Sequence, residues 1–135
     1  MPSRFRLLEH LGSGGMGSVY RAFDRDLKHE VALKTMHGMS PEDRLRLKRE
    51  FRALAHIVHP NLVNLYELVA DERWCFFTME LVSGVDFVEY TRGVEAARTD
   101  PETFVRRLRD AGTQLASALQ ALHLGGKLHR DVKPS

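Results

Sequence analysis

Four glycines and Lys34 lie within the first 34 residues, and both residue types can hold phosphate groups. Gly12, Gly14 and Gly17 have the spacing G-x-G-x-x-G, with Gly15 between them. Glycine lets the backbone approach a ligand closely, and a glycine-rich run can direct several backbone N–H groups at phosphate oxygens. Lys34 supplies a cation downstream. The spacing indicates a nucleotide site, although dinucleotide-binding turns and plain flexible loops share it.

The segments after the glycines distinguish between these possibilities. A dinucleotide-binding turn leads directly into a helix. Residues 19–23 are instead rich in β-branched and aromatic residues, which is typical of a strand. A polar turn at 24–29 and a second strand at 30–34 follow, so the sequence predicts a β-hairpin after the glycines.

The register of this hairpin predicts where the lysine lies. With the turn centred between Asp26 and Leu27, an antiparallel hairpin pairs Val19 with Lys34. The ammonium group then lies beside the glycines, where phosphates would sit. Ala32 shares this face because strand side chains alternate, and its small side chain leaves space for a flat ring.

Length, composition and charge describe an ordinary globular chain. It has 135 residues, 43% of them hydrophobic and 28% charged, with a formal net charge of +2. This charge gives no reason to expect nucleic acid or membrane partners, and no apolar run is long enough to span a bilayer. Cys75 is the single cysteine and cannot form an internal disulfide, so a cytoplasmic location is expected.

A helix is predicted to follow the hairpin, because Ser40 can cap it and Pro41 suits its first position. Its apolar residues recur at helical spacing: Leu47, Phe51, Leu54 and Val58. Glu50 lies about 60° from Leu47 around the helix, at the edge of this stripe, and can reach a neighbouring sheet. A solvated glutamate paired with nearby arginines is the alternative, and for one helical glutamate taken alone it is the more common case.

The predicted elements change character near residue 83. Strands are expected at 62–69 and at 74–82, the second buried on much of both faces. A short helix is expected near Asp86, and a longer one capped by Thr99 or Asp100 and stopped at Gly125. Apolar residues mark a core stripe on the longer helix: Phe104, Leu108, Ala111, Leu115, Ala118 and Leu122. His56 and His59 could chelate zinc, but no third ligand is evident.

Six segments taken together resemble the protein kinase superfamily, and most closely the bacterial eukaryotic-like serine/threonine kinases. They occur in the order of the family: Leu-Gly-Ser-Gly-Gly-Met-Gly-Ser-Val at 11–19, Val-Ala-Leu-Lys at 31–34, Glu50, His-Pro-Asn at 59–61, Met-Glu-Leu-Val at 79–82, and His-Arg-Asp-Val-Lys-Pro at 129–134. The resemblance implies a truncated α+β kinase-like fold. It has a five-stranded antiparallel small lobe with one main helix at 1–82, and the first helices of the large lobe at 83–135.

The resemblance also implies a role for each matching residue. The nucleotide would be bound by Leu11, Gly12, Ser13, Gly14, Gly15, Met16, Gly17, Ser18, Val19, Ala32, Lys34, Met79, Glu80, Val82 and Asp86. Lys34 would hold the α- and β-phosphates and pair with Glu50. Asp131 would accept the proton of the substrate hydroxyl, and Lys133 would neutralise the transferred phosphoryl group. Asp86 would contact the ribose or would simply start a helix.

The implied reaction is ATP-dependent phosphorylation of serine or threonine on a protein. Magnesium ligands are expected beyond Ser135, and none is assigned within the chain. We therefore expect the front part of a kinase domain, inactive alone and prone to self-association through the apolar stripe of its long helix. A non-catalytic nucleotide-binding or scaffolding module is the alternative. A dinucleotide-binding oxidoreductase would rest on the glycine spacing alone.

Overall fold

The computed structural model of the chain describes residues 2–15, 17–93, 100–130 and 132–133. Its strands and helices are β1 (Phe5–Gly14), β2 (Gly17–Asp24), β3 (His29–Met36), α1 (Pro41–Ala55), β4 (Leu65–Ala70), β5 (Cys75–Met79), α2 (Phe87–Arg92) and α3 (Pro101–Leu124). Met16, Thr99 and Asp131, which the sequence analysis singled out, lie outside the described residues.

The chain divides into two compact units. One, the sheet unit, contains Met1–Val58 and Val63–Val82, and the other, the helical unit, contains His59–Leu62 and Ser83–Ser135. The sheet unit holds five strands in the order β1-β2-β3-β5-β4, and every neighbouring pair is antiparallel. The predicted five-stranded antiparallel sheet with one main helix is therefore confirmed.

The core of the sheet unit lies on one face of the sheet. Its most buried members are Phe5, Ala22, Val31, Leu33 and Phe76, and Val69 and Trp74 pack against them. The rings of Phe5 and Phe76 meet edge to face, with centroids 5.4 Å apart. Each large apolar side chain buried in this way contributes about 1.5–3 kcal/mol. Apolar packing on this face therefore stabilises the strands that carry the predicted site on their other face.

An ion pair with a buried carboxylate joins the residue before β1 to the end of β2. The Asp24 side chain is fully buried and accepts two hydrogen bonds from Arg4, at 2.9 and 2.7 Å. Its Oδ1 also accepts from the backbone N–H groups of Asp26 and Leu27, which shapes the turn after β2. Arg4 reaches on to Glu67 in β4 at 2.7 Å. Hydrogen bonding to Arg4 is the main reason that the pKa of Asp24 lies below its usual value.

The start of α1 matches its prediction. Ser40 caps the helix, and its hydroxyl accepts from the backbone N–H of Asp43 at 3.1 Å. The Asp43 carboxylate accepts from the Ser40 backbone N–H at 3.3 Å, which completes a capping box. The place of Val58 in the apolar stripe is wrong, because α1 stops at Ala55 and Val58 lies beyond it with 80% of its surface exposed.

Two strand boundaries also differ from prediction. β4 begins at Leu65 rather than at residue 62, because His59–Leu62 forms a turn in which Leu62 N–H donates to the His59 carbonyl. β5 ends at Met79 rather than at residue 82; one of its faces is buried and the other is partly buried. Only Phe76 and Thr78 are buried, as the alternation of a strand with one core face requires.

In the helical unit, Asp100 caps α3, as one of the two predicted residues, and Gly125 lies at its C-terminal cap. Of the apolar stripe, only Ala118 and Leu122 are buried, whereas Leu108 and Leu115 are each 41% exposed. The predicted helix is therefore present, with part of its apolar face uncovered.

Two side chains attach the neighbouring segments to α3. Arg107 lies over the ring of Tyr90 and donates to its carbonyl at 2.9 Å, which joins α2 to α3. Asn61 donates to Gln114 of α3 at 2.9 Å, so the His59–Leu62 turn is joined to the same helix.

Gly17 gives the first testable prediction. Its φ is +151°, and a Cβ built on it would lie 1.7 Å from the Thr35 carbonyl oxygen. Gly17→Ala is expected to destabilise the protein by at least about 1–3 kcal/mol, because the backbone strain adds to the steric overlap with β3. Urea denaturation measures this change. Gly14→Ala is the matched control, since its Cβ would meet nothing within 4 Å. Equal stability of the two variants would contradict the prediction.

Candidate nucleotide-binding site

The glycine segment at 11–19 is the end of a β-hairpin, and we call it the glycine hairpin. Gly12 pairs with Val19, Ser13 with Ser18, and Gly14 with Gly17 across β1 and β2. The two strands continue through most of this segment. The pairing is possible because all of these residues can adopt extended backbone conformations, with the turn at Gly15.

Side-chain hydroxyls support the glycine hairpin from one face. Thr35 Oγ1 donates to the Ser18 carbonyl at 3.1 Å and accepts from its N–H at 3.3 Å. The hydroxyls of Ser13 and Ser18 lie 2.9 Å apart, and His10 Nε2 lies 2.7 Å from Ser13. Sequence reasoning missed these contacts. Only the strand alternation, applied through the glycines, could have placed Ser13 and Ser18 together.

Lys34 lies beside the glycine hairpin in the register that the sequence predicted. Val19 pairs with Lys34, and on the other side of β3 Ala32 pairs with Met79 of β5. Alternation puts Val19, Ala32 and Lys34 on one face of the sheet, opposite the face of Val31 and Leu33. Ala32 is buried and Lys34 is half-buried. This face therefore presents a small apolar surface with a cation at its glycine-rich end.

The structure places Glu50 against Arg46 rather than against Lys34. Arg46 Nε lies 3.1 Å from Glu50 Oε1 one helical turn away, and both side chains are more than half exposed. Among the described residues, no ion pair joins Lys34 to Glu50. Glu50 thus occupies the arrangement that the sequence analysis gave as the alternative, and its pairing with Lys34 stays a prediction.

The Arg46–Glu50 ion pair holds Glu50 only weakly in its present position. An exposed ion pair one turn apart on a helix contributes about 0.3–0.5 kcal/mol. If Glu50 left Arg46 to pair with another cation, the loss of this ion pair would therefore cost little free energy. The helix itself is attached to the sheet by apolar contact, since the Phe51 ring lies 6.0 Å from the Phe77 ring of β5.

Glu80, directly after β5, is hydrogen-bonded to Asn64, just before β4. Glu80 N–H donates to the Asn64 carbonyl at 2.8 Å, and its carboxylate accepts from the Asn64 side chain at 3.0 Å. The Glu80 N–H is therefore engaged within the protein, and the predicted contact of Glu80 with a nucleotide stays a prediction. Val82 is 63% exposed, beyond the end of the strand.

The remaining predicted residues belong to the helical unit. Asp86 caps α2, and its Oδ1 accepts from the Glu89 N–H at 2.8 Å, so it does start a helix. Lys133 lies in an exposed segment outside helices and strands. Arg130 has φ of +63°, a conformation that non-glycine residues rarely adopt and that is found more often at functional sites.

The described part of the chain holds neither a three-residue metal cluster nor a membrane-spanning helix. No three side chains of His, Cys, Asp or Glu come close enough together there to hold a metal ion. None of the helices described is long and apolar enough to cross a membrane.

The sheet order, the glycine hairpin and the lysine beside it describe the sheet part of a kinase-like fold. The protein kinase domain family matches residues 5–135, and the chain belongs to this family. The chain is 37% identical to the DNA damage-responsive serine/threonine-protein kinase RqkA of Deinococcus radiodurans, and 33% identical to a probable serine/threonine-protein kinase of Clostridium acetobutylicum. Each match covers 99% of this chain and 20% of the relative.

Solved structures show the same fold. The kinase domain of Mycobacterium tuberculosis PknI matches with a TM-score of 0.75 and 26% identity, over 98% of this chain. The match covers 53% of that kinase domain. The chain therefore spans about a fifth of the curated relatives and about half of a solved kinase domain.

Proposed function

We propose that the protein carrying this chain is an ATP-dependent serine/threonine protein kinase. The observation that carries the proposal is the pairing of Val19 with Lys34, which sets a cation beside the glycine hairpin. Phosphoryl transfer depends mainly on positioning and on neutralising charge, and these two elements supply both for a triphosphate. Membership of the protein kinase domain family supports the same conclusion.

Several of the predicted residues have a role in the proposed reaction. Backbone N–H groups of the glycine hairpin and the Lys34 ammonium hold the phosphates, while Val19 and Ala32 pack on the adenine. Asp131 accepts the proton of the serine or threonine hydroxyl, and Lys133 neutralises the transferred group. Magnesium would neutralise the triphosphate further.

We propose that residues 1–82 are the small lobe of the kinase domain and residues 83–135 the start of its large lobe. The change from the sheet unit to the helical unit between Val82 and Ser83 supports this division. The turn His59–Leu62 is grouped with the helical unit, and the hydrogen bond from Asn61 to Gln114 is one physical reason.

The 135-residue chain by itself is expected to be inactive and to self-associate. Val105, Leu108 and Leu115 of α3 are 41–50% exposed, although apolar spacing marks this helix as a core element. Leaving such side chains exposed forgoes about 1.5–3 kcal/mol each. Further packing partners in a complete kinase domain would recover this free energy.

A non-catalytic nucleotide-binding or scaffolding module is the second candidate. The pairing of Glu50 with Arg46 favours it, because a Lys34 without its acidic partner would be less well positioned for transfer.

One experiment separates the two functions. The full-length protein is incubated with γ-labelled ATP and a mixture of unstructured basic proteins, and nucleotide binding is followed with a fluorescent ATP analogue. A kinase transfers label to serine or threonine, whereas the 135-residue chain alone does not. Binding of the analogue by the full-length protein without any transfer would overturn the proposal in favour of the scaffolding module.

A further inference from the structure

Hydrogen bonds connect three strands across the glycine hairpin, from Thr35 in β3 through Ser18 in β2 to Ser13 and His10 in β1. We call these residues the hydroxyl network. Thr35 Oγ1 bonds to both the carbonyl and the N–H of Ser18, at 3.1 and 3.3 Å. The Ser18 and Ser13 hydroxyls lie 2.9 Å apart, and Ser13 lies 2.7 Å from His10 Nε2. The network therefore links β1 to β3, although the two strands are not neighbours in the sheet.

The hydroxyl network lies on the opposite face of the sheet from the proposed nucleotide site. Ser18 is the register partner of both Ser13 and Thr35. The next pair along β2 and β3 is Val19 with Lys34, whose side chains point to the other face because strand side chains alternate. The network can therefore act on the conformation of the glycine hairpin without occupying the space beside Lys34.

The glycine hairpin has little else to hold it in an extended conformation. Four of the six residues from Gly12 to Gly17 are glycine, which loses more conformational freedom on ordering than any other residue. β1 is an edge strand that pairs only with β2, and its register shifts between His10 and Gly12. Such a shift disrupts the ladder of backbone hydrogen bonds locally. His10 and Ser13 lie on either side of this shift, where additional cross-strand bonds stabilise the pairing most.

We propose that Thr35 is a positioning residue for ATP, which acts through the hydroxyl network by holding the glycine hairpin in its binding conformation. This inference rests on the proposed nucleotide site. A hairpin that is ordered beforehand need not be ordered by the nucleotide, so the affinity for ATP is higher. The same hairpin would contact ATP before and during transfer. Loss of the network should therefore raise KM for ATP and leave kcat close to the wild-type value.

Thr35→Val tests the proposal directly, because valine has the shape of threonine without its hydroxyl. In the full-length protein, Kd for the fluorescent ATP analogue and KM for ATP are expected to rise about 2- to 10-fold, the equivalent of one net hydrogen bond. The value of kcat should stay close to that of the wild type. Thr35→Ser keeps the hydroxyl and should bind the analogue as the wild type does.

Thr78→Val is the matched control, since it makes the same change on the neighbouring strand. Thr35 pairs with Phe76 of β5, and Thr78 lies two positions further along β5 on the same face. Thr78 is fully buried, and its hydroxyl has no hydrogen-bond partner among the described residues. Its loss should therefore leave both Kd and KM unchanged.

Amide hydrogen exchange in the nucleotide-free protein provides a second measurement. The Ser18 N–H donates to Thr35, so it should exchange faster in Thr35→Val but not in Thr78→Val. Wild-type binding of the analogue with unchanged Kd and KM in Thr35→Val would overturn the inference and leave the proposed function intact. Absence of analogue binding by the wild-type protein would overturn the proposed function, and this inference with it.

Discussion

Lys34→Met in the full-length protein is expected to lower phosphoryl transfer by at least about 100-fold, the usual effect of removing one preorganised group that stabilises developing charge. Lys34 pairs with Val19 beside the glycine hairpin, where its ammonium would neutralise the phosphates of ATP. Methionine keeps the length and the apolar part of the side chain but removes the charge. Lys34 has no described ion pair to lose, so the fold should remain intact.

Label transfer from γ-labelled ATP measures this loss, and urea denaturation checks the fold. Lys48→Met is the matched control, because it makes the same change on α1, and lysine and methionine have similar helix propensities. The control should transfer phosphate at close to the wild-type rate. A well-folded Lys34→Met protein that also does so would refute the role assigned to Lys34.

Asp24→Ala is expected to lower the free energy of unfolding by about 2–4 kcal/mol, because it removes a buried, fully hydrogen-bonded carboxylate. Arg4 would lose two hydrogen bonds, at 2.9 and 2.7 Å, and the turn would lose its acceptor for Asp26 and Leu27. Arg4 would still contact Glu67, so its charge would not be left without a partner. Urea denaturation of the full-length protein at pH 7 measures the change.

Two further variants show how much of the stability that Asp24 contributes comes from its charge and how much depends on its burial. Asp24→Asn keeps an oxygen for the turn but loses the charge, so it should cost less than Asp24→Ala. Asp26→Asn is the control, since Asp26 also contacts Arg4, at 3.2 Å, but its side chain is 70% exposed. Such an exposed pair contributes about 0–1 kcal/mol. A cost for Asp26→Asn as large as that for Asp24→Ala would contradict the importance of burial.

The Asp24 ion pair also predicts a pH dependence. The pKa of Asp24 is lowered in the folded state, chiefly by its hydrogen bond to Arg4. A lowered pKa adds stability above the unfolded value of about 3.9, and this stability is lost as the pH falls through the folded value. The advantage of the wild type over Asp24→Asn should therefore be constant between about pH 5 and 7 and shrink below about pH 4. An advantage that grows on acidification would contradict this assignment.

Local patterns were sufficient for the hairpin register and for the helix starts. The pairing of Val19 with Lys34 follows from turn length and strand alternation, and it is confirmed. The caps at Ser40 and Asp100 follow from short-range hydrogen bonding. Local patterns were not sufficient to predict where α1 ends. Val58 continued the apolar spacing of α1 but lies outside the helix.

The sequence by itself determined the family, the five antiparallel strands and the position of Lys34 beside the glycines, because these depend on spacing along the chain and on short turns. Tertiary structure decided which distant side chains meet. It buried Asp24 against Arg4, placed Glu50 against Arg46 and brought Cys75 to Met39. Such contacts depend on how strands and helices pack, and no periodicity in the sequence records that packing.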